Sequence, residues 1–188
     1  QGIRPEGFCE DLRIDARGYL VSPGFFDTCA RLREPGFEYK ATIETESLAA
    51  AAGGVTRLCM PPDTMPPVDT PAVVQLIQER VRVTNRLKVE IVGAMTRGLN
   101  GSDLSEMAAL RRAGCRLIGN GFGPVKNTLV LRRCLEYAAS HEYTVIIRPE
   151  DPFLADQGCA HEGLVATRLG LKGIPYAAET VAIAEVLA

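Results

Sequence analysis

Residues 55–95 read VTRLCMPPDTMPPVDTPAVVQLIQERVRVTNRLKVEIVGAM. VTRLCM is β-branched and apolar, which predicts a strand. PPDTMPPVDT interrupts it, because proline neither donates to a ladder nor continues a helix. Thr70 followed by Pro71 suits a helix N-cap with proline at the first helical position. PAVVQLIQERV carries helical periodicity, and LKVEIVGAM is the next strand. Strand, loop, helix and strand in this order form one βαβ unit, whose strands must run parallel.

The same rhythm extends in both directions. Upstream, RGYLVSPGFFDTCAR (17–31) holds two candidate strands divided by Pro23 and Gly24. YKATIETESLAAAAGG (39–54) is an Ala- and Glu-rich helix that stops at Gly53 and Gly54. Downstream, SDLSEMAALRRAG (102–114) is a helix with Ser102 or Asp103 as its cap. CRLIG is a strand, NTLVLRRCLEYAASH an amphipathic helix and YTVIIRP another strand. CAHEGLVATRLGLKG and YAAETVAIAEVLA are two further helices. About five core strands alternating with helices give an α/β fold. An open doubly wound sheet and a (β/α)8 barrel both remain open at this point. No G-x-G-x-x-G or G-x-x-x-x-G-K-[ST] follows a strand, which weakens the nucleotide-binding version. The Pro-rich stretch lies after a strand, on the face where barrels build their sites.

The bulk composition excludes several classes. Of 188 residues, 46% are hydrophobic and 23% charged, with a net charge of -2. That is ordinary globular composition with no basic stripe, so nucleic acid is not an expected partner. No apolar run approaches the roughly 18 residues of a membrane span. QGIRPEGF at the N-terminus lacks the pattern of a signal peptide. Six cysteines, Cys9, Cys29, Cys59, Cys115, Cys134 and Cys159, are scattered without a CxxC pair. A reducing cytoplasm is the expected compartment.

Residues Pro23 to Gly36, PGFFDTCARLREPG, resemble the first barrel strand of dihydroorotases in the amidohydrolase superfamily. The family pattern there is P-G-F-x-D-x-H-x-H-L-R-E-P-G. The resemblance continues through FEYKATIETESLAAAAGGVTRLCMP and GAMTRGLNGSDLSEMAALRRAGC. It runs on from PEDPFLADQG to the end, so nearly the whole chain is covered. It implies a partial (β/α)8 barrel of about five βα units over residues 23–188. Residues 1–22 are expected to be a remnant of a small N-terminal β-domain. About half of a family member is present, so the chain is expected to be a fragment or the ordered portion of a longer protein.

The resemblance also implies a zinc site, and here the residues depart from it. The family uses zinc to activate a water and polarise a cyclic amide. Its two strand-one histidines correspond to Cys29 and Arg31. Cysteine can ligate zinc, whereas arginine keeps its proton and has no lone pair to give. The fourth-strand ligand corresponds to Gly121 or Phe122, and the fifth-strand histidine to Arg148. The remaining ligand and the general acid/base would lie beyond residue 188. Zinc is therefore expected to be absent and the chain to be non-catalytic. Arg33 matches the arginine that holds the substrate carboxylate. Asp63 stands where the family has a substrate-binding asparagine, and an acid there repels an acidic ligand.

Plainer roles are set against these. Cys29 is expected to pack inside the barrel. Arg31 and Arg148 either bind an anion or pair with Asp27, Glu34 or Glu150, since buried arginine must be paired. His141 at a helix C-terminus and His161 on a helix are read as structural. The first functional expectation is a pseudo-dihydroorotase, a scaffold for the aspartate carbamoyltransferase catalytic chain in pyrimidine biosynthesis. The resemblance supplies that partner. A carboxylate-binding module comes second, and a cyclic-amide hydrolase with an altered metal site third.

Overall fold

The computed structural model describes residues 14–188 except 85 and 126. Cys9 and most of the expected small-domain remnant lie outside the described residues. The five strands β1 (Phe25–Asp27), β2 (Val55–Met60), β3 (Lys88–Ala94), β4 (Leu117–Gly119) and β5 (Thr144–Ile146) form one sheet. Their spatial order is their sequence order, and every pairing is parallel. Four helices connect them: α1 (Ile43–Ala52), α2 (Pro71–Thr84), α3 (Met107–Arg112) and α4 (Thr128–Ser140). An open doubly wound sheet reverses its strand order at a switch point. This sheet has no reversal, so it is the curved half of a (β/α) barrel.

Local chemistry explains the boundaries. Thr42 caps α1 in a reciprocal capping box with Thr45. Asn127 caps α4 by accepting from the Val130 amide at 2.8 Å. The core lies between the sheet and its helices. Leu58, Met60, Ile91 and Ile118 from the strands meet Ile43, Val74, Ile77, Met107, Leu110 and Ala138. Phe26 on β1 is 51% exposed.

Several expectations are corrected. The run RGYLVSP forms no strand: residues 14–24 are exposed, with only a turn near Gly18. Neither Ser102 nor Asp103 caps α3. They sit in a loop closed by the Asn100 side chain, which accepts from both their amides, and α3 begins four residues past Asp103, after Glu106. The expected helix over residues 159–173 is instead β6 (Ala160–His161), α6 (Leu164–Arg168) and β7 (Gly173–Ile174). His161 is therefore on a strand. Gly163 and Gly170 flank that short helix and limit it. Two helices complete the described chain, α5 (Pro152–Ala155) and α7 (Ala177–Leu187).

Two tests follow from this packing. A Cβ on Gly119 would lie 2.5 Å from the Ile146 carbonyl oxygen, a backbone atom of the neighbouring strand. Gly119→Ala should therefore lower stability by about 1–3 kcal/mol, read as a fall in the urea midpoint of the full-length protein. Burial pushes the Cys115 thiol from about 9 up to about 12. A raised pKa contributes stability that is complete below the unfolded value and is lost as pH rises through the folded one. The stability advantage of the native protein over Cys115→Ala should thus shrink between about pH 9 and 12. An advantage constant over that range would contradict the buried neutral thiol.

Candidate functional site: the strand ends

The C-terminal ends of β1, β2, β4 and β5 bring five of the singled-out side chains into one column. The Arg31 Nε donates to Asp63 Oδ2 at 2.7 Å, and both side chains are 27% exposed. The Arg31 guanidinium also lies over the Phe122 ring, 3.8 Å from its centroid. Arg148 lies 4.6 Å from the same centroid and pairs through Nη2 with Glu150 Oε2 at 2.5 Å. The sequence is carboxylate, guanidinium, aromatic ring, guanidinium, carboxylate. Each cation has one acid and shares the electron-rich ring, which is how two like charges are tolerated side by side.

Loop chemistry aims the ring. Residues Asn120 to Gly123 form a tight turn, with the Gly123 amide donating to the Asn120 carbonyl at 3.1 Å. Gly121 takes φ +60, a conformation glycine adopts without a Cβ penalty. A Cβ there would sit 3.5 Å from the Asp63 Cβ, so the loops after β2 and β4 touch. Asn120 is buried. Its Oδ1 accepts from the Thr96 hydroxyl at 2.6 Å, and its Nδ2 donates to the Gly123 carbonyl at 2.9 Å. The Thr96 hydroxyl accepts in turn from the Gly101 amide at 3.0 Å. Asn120 and the ring's stacking role were not singled out from sequence. The Asn-Gly dipeptide at 120–121 was the available turn signal.

The expected partners are partly corrected. Arg148 pairs with Glu150, one of the anticipated acids. Arg31 instead takes Asp63, whose carboxylate was expected to repel an acidic ligand. Glu34 is used elsewhere, accepting from the Ile43 amide at 3.0 Å and pairing with Arg80 at 3.3 Å. Asp27 accepts from the Cys29 amide at 2.9 Å. Cys29 is exposed in this half-barrel. Arg33 is held at φ +66, and the Phe37 amide donates to its carbonyl at 2.9 Å. The concavity shared by Arg31, Arg33, Asp63 and Thr64 has about 10 Å³ of free volume, room for about one water. A larger cleft of about 490 Å³ opens between α4 and α7, with Arg148, Leu131, Ile147 and Val186 in its walls.

A model of the family described as dihydro-orotase-like matches residues 18–187. The chain belongs to the dihydroorotase-like family. It is 49% identical over 183 residues to a protein of Pseudomonas aeruginosa named dihydroorotase-like protein. That match covers 97% of this chain and 43% of the relative. It is 44% identical over 170 residues to the dihydroorotase of an Anaeromyxobacter species, covering 90% of this chain and 39% of that one. The chain thus spans less than half the length of these curated relatives. Among solved structures, the L-hydantoinase of Arthrobacter aurescens superposes with a TM-score of 0.73 at 19% identity, covering 97% of this chain and 42% of that one. That likeness carries the barrel fold.

The strand-end residues of this dihydroorotase-like chain do not fit a zinc ion. Zinc takes neutral imidazole, thiolate or carboxylate donors. Arg31 and Arg148 offer protonated guanidiniums, Phe122 offers a ring, and Asp63 and Glu150 are engaged as their counter-ions. Among the described residues no group of three or more His, Cys, Asp or Glu side chains is arranged to hold a metal.

The column should behave as one energetic unit. In a double-mutant cycle, Arg31→Ala and Phe122→Ala should couple by about 0.5–1 kcal/mol, the range of a partly exposed cation–π contact. Denaturant midpoints of the four proteins measure it, and strict additivity would show that the stacking carries no energy.

Proposed function

We propose that this chain belongs to a non-catalytic dihydroorotase homologue of de novo pyrimidine biosynthesis, a scaffold on which the aspartate carbamoyltransferase catalytic chain assembles. The observation supporting this reading is the Asp63–Arg31–Phe122–Arg148–Glu150 column. Two fixed positive charges repel a dication, and a ring between them leaves no donor to bind it. Without zinc, neither the activation of water nor the polarisation of a cyclic amide is available at these positions. Meanwhile the helix-facing core is apolar and closely packed. Keeping the barrel while replacing its site chemistry suits a protein whose surface, and not its centre, is used.

In this reading no zinc is held at the strand ends and the protein works in the cytoplasm. Among the described residues no helix is long and apolar enough to cross a membrane. Full-length protein dialysed free of loose metal should contain far less than one zinc per chain by elemental analysis. About one per chain would return the hydrolase reading to first place. Mixed at micromolar concentration with the aspartate carbamoyltransferase catalytic chain, the full-length protein should co-elute with it on size exclusion. Separate elution would remove the scaffold role while leaving the metal result untouched.

A further inference from the structure

Two cysteines stand side by side where β1 and β2 end. The Ala30 amide donates to the Cys59 carbonyl at 2.9 Å, which carries the parallel ladder past Asp27. In such a ladder that bond sets the preceding residue, Cys29, beside Cys59. Asp27 pairs with Leu58, so β1 gains one residue on β2, a bulge that places Thr28 and Cys29 opposite the one cysteine. Neighbouring strands lie about 4.8 Å apart, and a disulfide spans Cα atoms roughly 4.4–6.8 Å apart.

The side chains register the same proximity. Burial pushes the pKa of the Cys59 thiol up, and the carboxylates of Glu90 and Asp27 and the thiolate form of Cys29 push it further, against Arg57. Both thiols are free. Other described cysteines are placed elsewhere: the sulfurs of Cys134 and Cys159 meet the carbonyls of Met95 and Lys172, and Cys115 is in the helix-facing core. The adjacency of Cys29 and Cys59 is set by the ladder between two strands of this chain, so it does not depend on what covers the sheet. Cys29 lies two residues before Arg31, and Cys59 four before Asp63. A link between the cysteines therefore joins the two segments that carry the Arg31–Asp63 ion pair.

We propose that Cys29 and Cys59 form a reversible disulfide, a redox-controlled staple between β1 and β2 that is closed by small disulfides of the glutathione class. The Cys29 thiolate attacks one sulfur of the small disulfide, forming a mixed disulfide and releasing one small thiol. The Cys59 thiol then gives up its proton and attacks the Cys29 sulfur, releasing the second small thiol. Two protein thiols are oxidised, one small disulfide is reduced, and the two protons leave on the released thiols. Cys29 attacks first, because it lies at the strand ends while the buried Cys59 keeps its proton. In a reducing compartment such a disulfide is transient and redox-sensing. This staple is independent of the scaffold role and of metal content.

The test is to incubate the folded full-length protein with oxidised glutathione, alkylate the remaining thiols, digest without reductant and read the peptides by mass spectrometry. The expected product is a peptide pair cross-linked through Cys29 and Cys59, which dithiothreitol separates again. Cys59→Ala should stop at the mixed disulfide, with glutathione retained on Cys29. Cys29→Ser should leave Cys59 as a free thiol, since the first attack is lost. The Cys29 substitution is at an exposed position, so it reports even where the buried Cys59 variant fails to fold. Native protein in which both thiols stay free, in which glutathione remains on Cys29, or in which either cysteine links to a different one would overturn the proposal.

Discussion

A guanidinium keeps its proton in any protein environment, so wherever one is drawn out of water a counter-charge must come with it. Arg31, with its side chain 27% exposed, imposes that demand at the C-terminal strand ends, while Arg148 stays 46% exposed. Asp63 moves to one, Glu150 to the other, and Phe122 fills the space between. The turn that presents Phe122 is held in place by Asn120, itself tied to Thr96 on the preceding loop. Loops after β2, β3, β4 and β5 are thereby joined through polar contacts that converge on one ring. The cluster is a polar and aromatic centre of cohesion for these strand ends.

The two faces of the sheet obey different rules. Toward the helices, Leu58, Met60, Ile91 and Ile118 leave water and drive folding. On β1, β2 and β3, Phe26, Arg57 and Glu90 are outside this apolar core. Burial also controls the cysteines. Cys115 and Cys134 lie in the helix-facing core, where desolvation holds both thiols neutral, the second at about 11. Cys29 and Cys159 are exposed.

Much of the architecture was legible in the residues. The alternation of β-branched runs with capped helices carried the parallel βαβ pattern, and the Pro23–Gly36 segment carried the family. Failures occurred where local signals are weak or compete. RGYLVSP has strand composition, yet composition alone forms no ladder, and no described strand lies beside it. The span 159–173 has helical composition, but Gly163 and Gly170 confine the helix to five residues and β6 pairs with β7 instead. Asp103 is a good capping residue by type, yet its Oδ2 accepts from Asn100 Nδ2 at 2.8 Å instead.

The sequence by itself determined that Arg31 and Arg148 carry guanidiniums and Phe122 a ring, because residue identity sets which atoms own a lone pair. It determined the parallel α/β order as well, through periodicities of two and 3.6. Only the tertiary structure decided who neutralises whom. Asp63 lies 32 residues from Arg31 along the chain, and Phe122 lies far from both arginines that stack on it. Pairings at that separation depend on strand register and loop geometry, which appear only once the sheet is assembled. The same register places Lys88 opposite Arg57 and turns two ordinary surface cations into neighbours.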